Sequence, residues 1–399
     1  MNPKFKFILL TTVPIVFFVL GILVRIGGIN LISGDMHFFL LPWYDEFVAR
    51  GFYGLGDNFS NYTPPYLYLL ALATLTRSLL PKVVGIKLFS ILFDILNSVL
   101  IYKIIKLKYP SGKTPILASA VFWLAPTIFL NSSVWGQADG IYTFFLLYTL
   151  YFFIQDRPFA AMLTYGITLS IKVQGVFLAP FLILLTLKKR LPWYYFGILP
   201  IVYLLMMVPA ILLGRPVMEV LTVYLSQASY YTKLSMRAPN LYSFVPESAS
   251  SIILAVGLII TLCILAAWIY FYARRKLEFR PDSMIFFALV SVAIVPFFMP
   301  KMHDRYFYPA DVLSLIMAFF NYNLWFIPLL YQIVSGLVYF NFLFAAPDIL
   351  IKIAAIINTL TVCYLLWKQY QRFGRDSTSI GDGQFQKIDP ENMKTAKMQ

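Results

Sequence analysis

The chain has 399 residues, 60% of them hydrophobic and 13% charged, against about 25% charged in ordinary soluble domains. With a mean hydropathy of +0.75, this excludes a water-soluble globular protein and leaves the lipid bilayer as its solvent. The formal net charge of +14 reads as Lys and Arg enriched in cytoplasmic loops, not as a nucleic-acid surface.

The first apolar stretch, 7–29, follows Lys4 and Lys6 and lacks a small-residue cleavage site, so it reads as a retained signal anchor. Next comes a large first external loop, 30–82, carrying SGDMHFFLLPWYDEF and NYTPPYLY. Residues 64–80 are long and apolar enough to suggest a span, but counting them would export every downstream basic cluster. They are therefore read as an interfacial helix.

Further spans are expected at 83–107, 114–131, 137–154, 159–171, 174–187, 192–213, 251–273, 283–300, 306–320, 324–343 and 347–367. That gives an all-α polytopic membrane protein of about twelve transmembrane helices. Both termini are then cytoplasmic, together with Lys103, Lys106, Lys108 and Lys113, Lys188 to Arg190, and Arg274 to Lys276. Elements 159–171 and 174–187 are shorter than the ~17 residues needed to cross and read as a hairpin meeting at Lys172–Gln174. Broken helices are tolerated at membrane depth only where they are buried in protein or line a polar cavity. Asp94, midway along its span, needs a partner in the bundle, and the apolar pattern names none. Cys263 and Cys363 lie in apolar runs and carry no redox information. Residues 1–370 are expected to form one transmembrane domain and 371–399 a disordered cytoplasmic tail.

With this topology the unusual polar stretches share the external face: the first loop, NSSVWGQADG at 131–140, the Lys172 turn, the second large loop at 214–250, and KMHDRYFYP at 301–309. The acids Asp35, Asp45, Glu46 and Asp139 are candidate bases; Lys172, Lys301, Arg305 and His303 are candidate anion holders. This mixture suits a reaction in which a hydroxyl loses a proton while a phosphate leaves. Plainer readings stand beside each: Gln137 and Asp139 as helix caps, Asp45 and Glu46 as solvated acids, Lys172 snorkelling to headgroups. There is no HExxH, no Asp-x-Asp pair, and only His37 and His303 offer imidazole, so no metal site is supported.

In order along residues 33–310, the chain resembles the GT-C fold, polyprenyl-phosphate-sugar-dependent glycosyltransferases, in particular the lumenal glucosyltransferases of N-glycan precursor assembly and their prokaryotic relatives. The resemblance rests on Gly34-Asp35, Tyr62-Thr63-Pro64-Pro65, WGQAD at 135–139, Lys172, Gln174 and Pro180, Ala238 to Tyr242, and His303-Asp304-Arg305. It implies inverting transfer of a hexose from a dolichyl or undecaprenyl phosphate sugar to an acceptor hydroxyl on a lipid-linked glycan, envelope glycan or protein. Asp35 would be the base and His303, Arg305 and Lys172 would hold the donor phosphate. Gln137, Asp139, Gln174, Asp304, Asn240 and Tyr62 would support them, without a metal. The membrane would be the inner membrane of a prokaryote or the endoplasmic reticulum of a eukaryote, with the site external or lumenal. The chain departs from the pattern at Asn61, where an acid is common, and at Pro239, which interrupts the Asn-aromatic element; Asp57 is a possible substitute acid. The competing readings are a lipid-linked-sugar flippase, a secondary transporter, and an O-antigen-type polymerase.

Overall fold

The computed structural model describes residues 8–230, 233–246 and 250–374, which are mostly helical. In lipid every backbone polar group has to be paired internally, and a helix does this within each segment. Helix α1 (Val13–Gly28) is followed by a π-helical turn, Met36–Leu40, then α2 (Leu41–Arg50), α3 (Pro64–Ala73) and α4 (Lys82–Lys106). After these come α5 (Thr114–Leu124), α6 (Pro126–Phe129), α7 (Asp139–Ile154), α8 (Pro158–Ile171), α9 (Ala179–Leu187), α10 (Ile198–Leu212) and α11 (Val217–Tyr230). The last part holds β1 (Ser235–Met236), α12 (Ser250–Ala273), α13 (Pro281–Phe298), β2 (Met302–His303), α14 (Tyr308–Phe320), α15 (Ile327–Phe344) and α16 (Ile349–Phe373).

Helices occupy every expected span. Among the described residues seven are long and apolar enough to cross a membrane alone, and one bent pair makes an eighth. The apolar window of α13 is 83% buried and that of α1 only 17%, so α13 forms the centre of the bundle and α1 faces lipid.

Three expectations change. The span 114–131 is not straight: it bends by 52° between Leu124 and Pro126 and continues to Trp135. Pro126 has no N–H and disfavours helix at Ala125; the Thr127 N–H at the bend donates to Gln332 Oε1 at 3.0 Å. The loop 214–250 contains α11, because Val220 and Val223 form a buried face while Met218 and Leu225 stay exposed. The last helix also runs beyond the expected span 347–367, as α16 continues to Phe373 and Arg372 pairs with Asp282. The tail from 375 lies outside the described residues. Within 64–80 the regular helix is α3, ten residues long and buried on much of its surface.

Two contacts fix where the chain leaves α1 for the first loop. Asp94 pairs with Arg25 at 2.8 Å, and Arg25 lies over the Trp123 ring at 3.6 Å. The Lys87 ammonium, from α4, donates to the carbonyl oxygens of Ile29 at 2.8 Å and Leu31 at 2.7 Å. The Ile29 oxygen caps the end of α1 and the Leu31 oxygen follows it, so a cation there is favourable. At the opposite end of the bundle Lys108 donates to Phe320 O at 2.7 Å and Lys188 to Arg275 O, which draws the basic turns together.

Candidate active site

Segments from along the chain converge on a cavity of about 420 Å³, within the range of roughly 300–1,000 Å³ typical of small-molecule sites. Its polar lining includes Asp35, Gln137, Lys172, Gln174, His303 and Arg305. Asp35 opens the π-helical turn after α1. There Ser33 Oγ donates to Trp135 O at 2.9 Å and accepts from the Met36 N–H at 3.2 Å, joining the first loop to the WGQAD turn. That turn depends on Gly136, whose φ of +80° is left-handed and whose Cβ, if present, would meet Met36 Cε at 2.6 Å.

The turn delivers two donors to one oxygen. Trp135 Nε1 and Gln137 Nε2 donate to Asp35 Oδ2 at 2.9 and 2.8 Å, and Arg305 Nη1 approaches the same atom at 2.5 Å. The Trp135 ring is stacked on Phe342, with centroids 4.3 Å apart, and also carries the Arg305 guanidinium at 4.8 Å.

Arg305 is surrounded by acids: its Nε lies 3.6 Å from Asp139 and 3.9 Å from Asp304. Burial opposes its charge, but Asp35, Asp304 and Asp139 overcome that and hold its pKa well above the usual arginine value. Asp139 is fixed from both sides, by Lys172 Nζ at 2.7 Å and Asn131 Nδ2 at 2.9 Å. Lys172 can reach it because its backbone is extended (φ −148°, ψ 136°), breaking the helix between α8 and the 3-10 turn Val173–Leu178.

The 301–305 turn is held by a parallel pairing of β1 with β2, with the Asp304 N–H donating to Met236 O at 3.0 Å. Burial, reinforced by Arg305, lowers the His303 pKa to about 3, so its imidazole is neutral at physiological pH. Burial raises the Asp304 carboxyl to about 7 despite Arg305. Beyond His303 the lining becomes apolar, with Val176, Phe177, Leu254, Leu258 and Met299. Leu258, on α12, is 41% exposed, so this arm reaches the outer surface of the bundle.

The solved structure of ArnT from Cupriavidus metallidurans, bound to undecaprenyl phosphate, matches 89% of this chain and 76% of its own, with a TM-score of 0.52 and 13% identity. The chain has the GT-C fold. In sequence it is 31% identical over 180 residues to GPI mannosyltransferase 1 of Kluyveromyces lactis. That match covers 44% of this chain and 42% of the relative, so it spans less than half the relative's length. No family model matches the chain.

On this GT-C scaffold Asp35, Tyr62, Gln137, Lys172, Gln174, His303 and Arg305 share the cavity wall. Asp139 and Asp304 do not reach it and stand behind the cations. Asn240 is a correction. It is fully buried away from the lining, donating to Pro296 O at 3.1 Å and Met299 O at 3.2 Å, so it braces the second loop against the end of α13. Asp57 pairs with Arg50 at 2.8 Å and is absent from the lining, so it does not replace the missing acid. Lys301 Nζ turns to Ala228 O at 3.0 Å.

The sequence reading missed Trp135 and Asn131 as partners of the two acids. Trp135 was visible in the WGQAD turn, but a Trp near a span end reads first as an interfacial anchor. Asn131 opens the polar stretch 131–140, but its pairing with Asp139 eight residues on follows no helical spacing.

Proposed function

We propose that the chain transfers a hexose from a polyprenyl-phosphate sugar to an acceptor hydroxyl, with inversion at the anomeric carbon. The observation that carries this reading is the arrangement in one cavity of a carboxylate, a neighbouring guanidinium and an apolar arm that reaches the outer surface of the bundle. Asp35 Oδ2 is occupied by three donors, which leaves Oδ1 to take the acceptor proton. As the acceptor oxygen forms its bond to the anomeric carbon, the bond from that carbon to the phosphate oxygen breaks, and the electron pair leaves on the phosphate. Arg305, with neutral His303 as an N–H donor, would stabilise that charge, and Lys172 stands close enough to assist. The prenyl tail would follow Leu254 and Leu258.

A GT-C relative bound to undecaprenyl phosphate and a mannosyltransferase relative both support this substrate class. A transporter or flippase would place its polar groups near the midplane. Here the deep pair Arg25–Asp94 is closed on itself, and the cavity groups gather at the end away from the basic turns. With those turns cytoplasmic, both termini are cytoplasmic and the site is external or lumenal. Transfer is proposed to need no metal, so chelator leaves the rate unchanged.

The test is a screen of polyprenyl-phosphate hexoses with the purified protein in nanodiscs, following release of polyprenyl phosphate and the anomeric configuration of the product. Transfer with inversion is expected; lipid movement without transfer, or retention, overturns the reading.

A further inference from the structure

A second cavity, of about 520 Å³, lies between α1, α5, α14 and α15 and shares no lining residue with the first. Ala125 and Pro126 line it, so it lies at the 52° bend. Its walls are mainly apolar side chains, among them Phe17, Val121, Leu315 and Leu329. Two of its polar groups are used by the protein itself: Tyr109 Oη donates to Phe319 O at 3.1 Å, and Gln332 Oε1 accepts from the Thr127 N–H at 3.0 Å and hydroxyl at 3.1 Å. Trp325 and Leu329 are more than half exposed, so the cavity reaches the outer surface of the bundle. Its rim at the end of α14 is basic. Lys108 Nζ donates to Phe320 O at 2.7 Å and lies 5.1 Å from the ring centroid of Tyr109, a lining residue. Lys113 Nζ donates to Thr11 Oγ1 at 2.9 Å, just before α1, and Lys103 and Lys106 are exposed on the last turn of α4. The sequence has no Asp or Glu in 1–34, 103–138 or 312–347, the segments that supply every lining residue.

We propose that this cavity holds one acyl chain of an anionic phospholipid, drawn from the leaflet on the basic side of the bundle, with its phosphate on the segment 103–113. The inference stands apart from the transfer reading. An apolar lining favours hydrocarbon, whereas a polar ligand would leave water without partners to replace it. The headgroup is selected by charge: four lysines within 103–113 and no acid beside them attract a net negative phosphate, and each lysine at the membrane surface adds to that attraction. A zwitterionic phospholipid would fill the same space without that gain. The prenyl chain of the donor has its own arm, past Leu254 and Leu258 in the first cavity. An acyl chain seated here packs against Pro126, at the start of the segment that carries Asn131 to Asp139 and Trp135 to Asp35.

The test is photo-crosslinking of the purified full chain in nanodiscs, with phosphatidylglycerol and phosphatidylcholine carrying the same diazirine-tagged acyl chain at equal mole fraction. Labelled peptides are mapped by mass spectrometry. Phosphatidylglycerol should label the peptides 121–126 and 315–329 about fivefold more than phosphatidylcholine does. Ala318→Phe, which puts a ring into the cavity from a small lining residue, should remove most of that labelling. Leu329→Trp, at the exposed rim where folding is less at stake, should do the same. Lys108→Gln combined with Lys113→Gln should bring phosphatidylglycerol down to the level of phosphatidylcholine. Labelling spread evenly over the outer helices, equal labelling by the two lipids in wild type, or labelling unaffected by both filling variants overturns the proposal. So does a tagged undecaprenyl phosphate that labels these peptides better than phosphatidylglycerol.

Discussion

Arg305 Nη1 and Asp35 Oδ2 lie 2.5 Å apart, across 270 residues of sequence, so the proposed base and the proposed phosphate holder form one ion pair. In this arrangement the guanidinium holds the carboxylate in place, and an incoming phosphate competes for the same cation. Asp35→Asn keeps an oxygen for Trp135 and Gln137 but loses the proton acceptor. Turnover is expected to fall by about 10² to 10⁴ with donor binding retained, as read by single-turnover transfer and a lipid-phosphate binding assay. Near-normal turnover would remove Asp35 from the mechanism.

Donor binding should depend on pH through Asp304. Its carboxyl, raised by burial to about 7 from an ordinary 3.8, is neutral in acid and becomes an anion beside Arg305 as pH rises through that value. Affinity for a polyprenyl-phosphate hexose should therefore fall between pH 6 and 8, and Asp304→Asn should flatten the profile. The same shift acts on folding in the same direction: the raised pKa contributes stability that is complete below the ordinary carboxylate value and lost as pH climbs through about 7. A wild-type profile with the opposite slope would assign the titration to another group.

Gly136→Ala should lower turnover without abolishing expression. A residue with a Cβ is strained at φ +80°, by about 1–3 kcal/mol, and that carbon would push on Met36 Cε, one residue from Asp35. Relaxation of the turn shifts both Trp135 and Gln137, so a loss of about tenfold in kcat is expected. In an Asp35→Asn background the same change should add little. Equal losses in both backgrounds would mean that the turn acts elsewhere.

Removing one partner of the buried pair Arg25–Asp94 strands a charge between helices. Arg25→Met alone should destabilise by about 3–5 kcal/mol, and Arg25→Met with Asp94→Leu should recover most of that loss. Thermal unfolding in detergent separates these outcomes; a double variant as unstable as the single would mean that the aromatic stacking on Trp123 matters more than the charge.

Local patterns were legible in the sequence and long-range closures were not. Apolar runs located the helices, and the break at Lys172 could be read because two segments too short to cross flank it. The Ala125–Pro126 bend was written in the sequence too, but the continuous apolar run around it concealed the change of direction. Arg25 went unread as the partner of Asp94 because a lone cation inside an apolar run has no periodicity to mark its facing helix. In the same way, six ordered motifs pointed toward the cavity but could not say which members would face it: Asn240 and Asp304 are motif residues turned inward, while Asn61, which departs from the pattern, lines the wall.

The hold of Lys87 on the end of α1 also bears on the order in which the protein is made. The first loop leaves the ribosome ahead of α4, so Asp35 is synthesised before the ammonium that sets its position and long before Arg305. During translation the carboxylate has neither its scaffold nor its counter-ion. The Asp35–Arg305 pair on which the proposed chemistry depends therefore closes only when the last third of the chain has been made, and a truncated product carries the acid without its counter-ion.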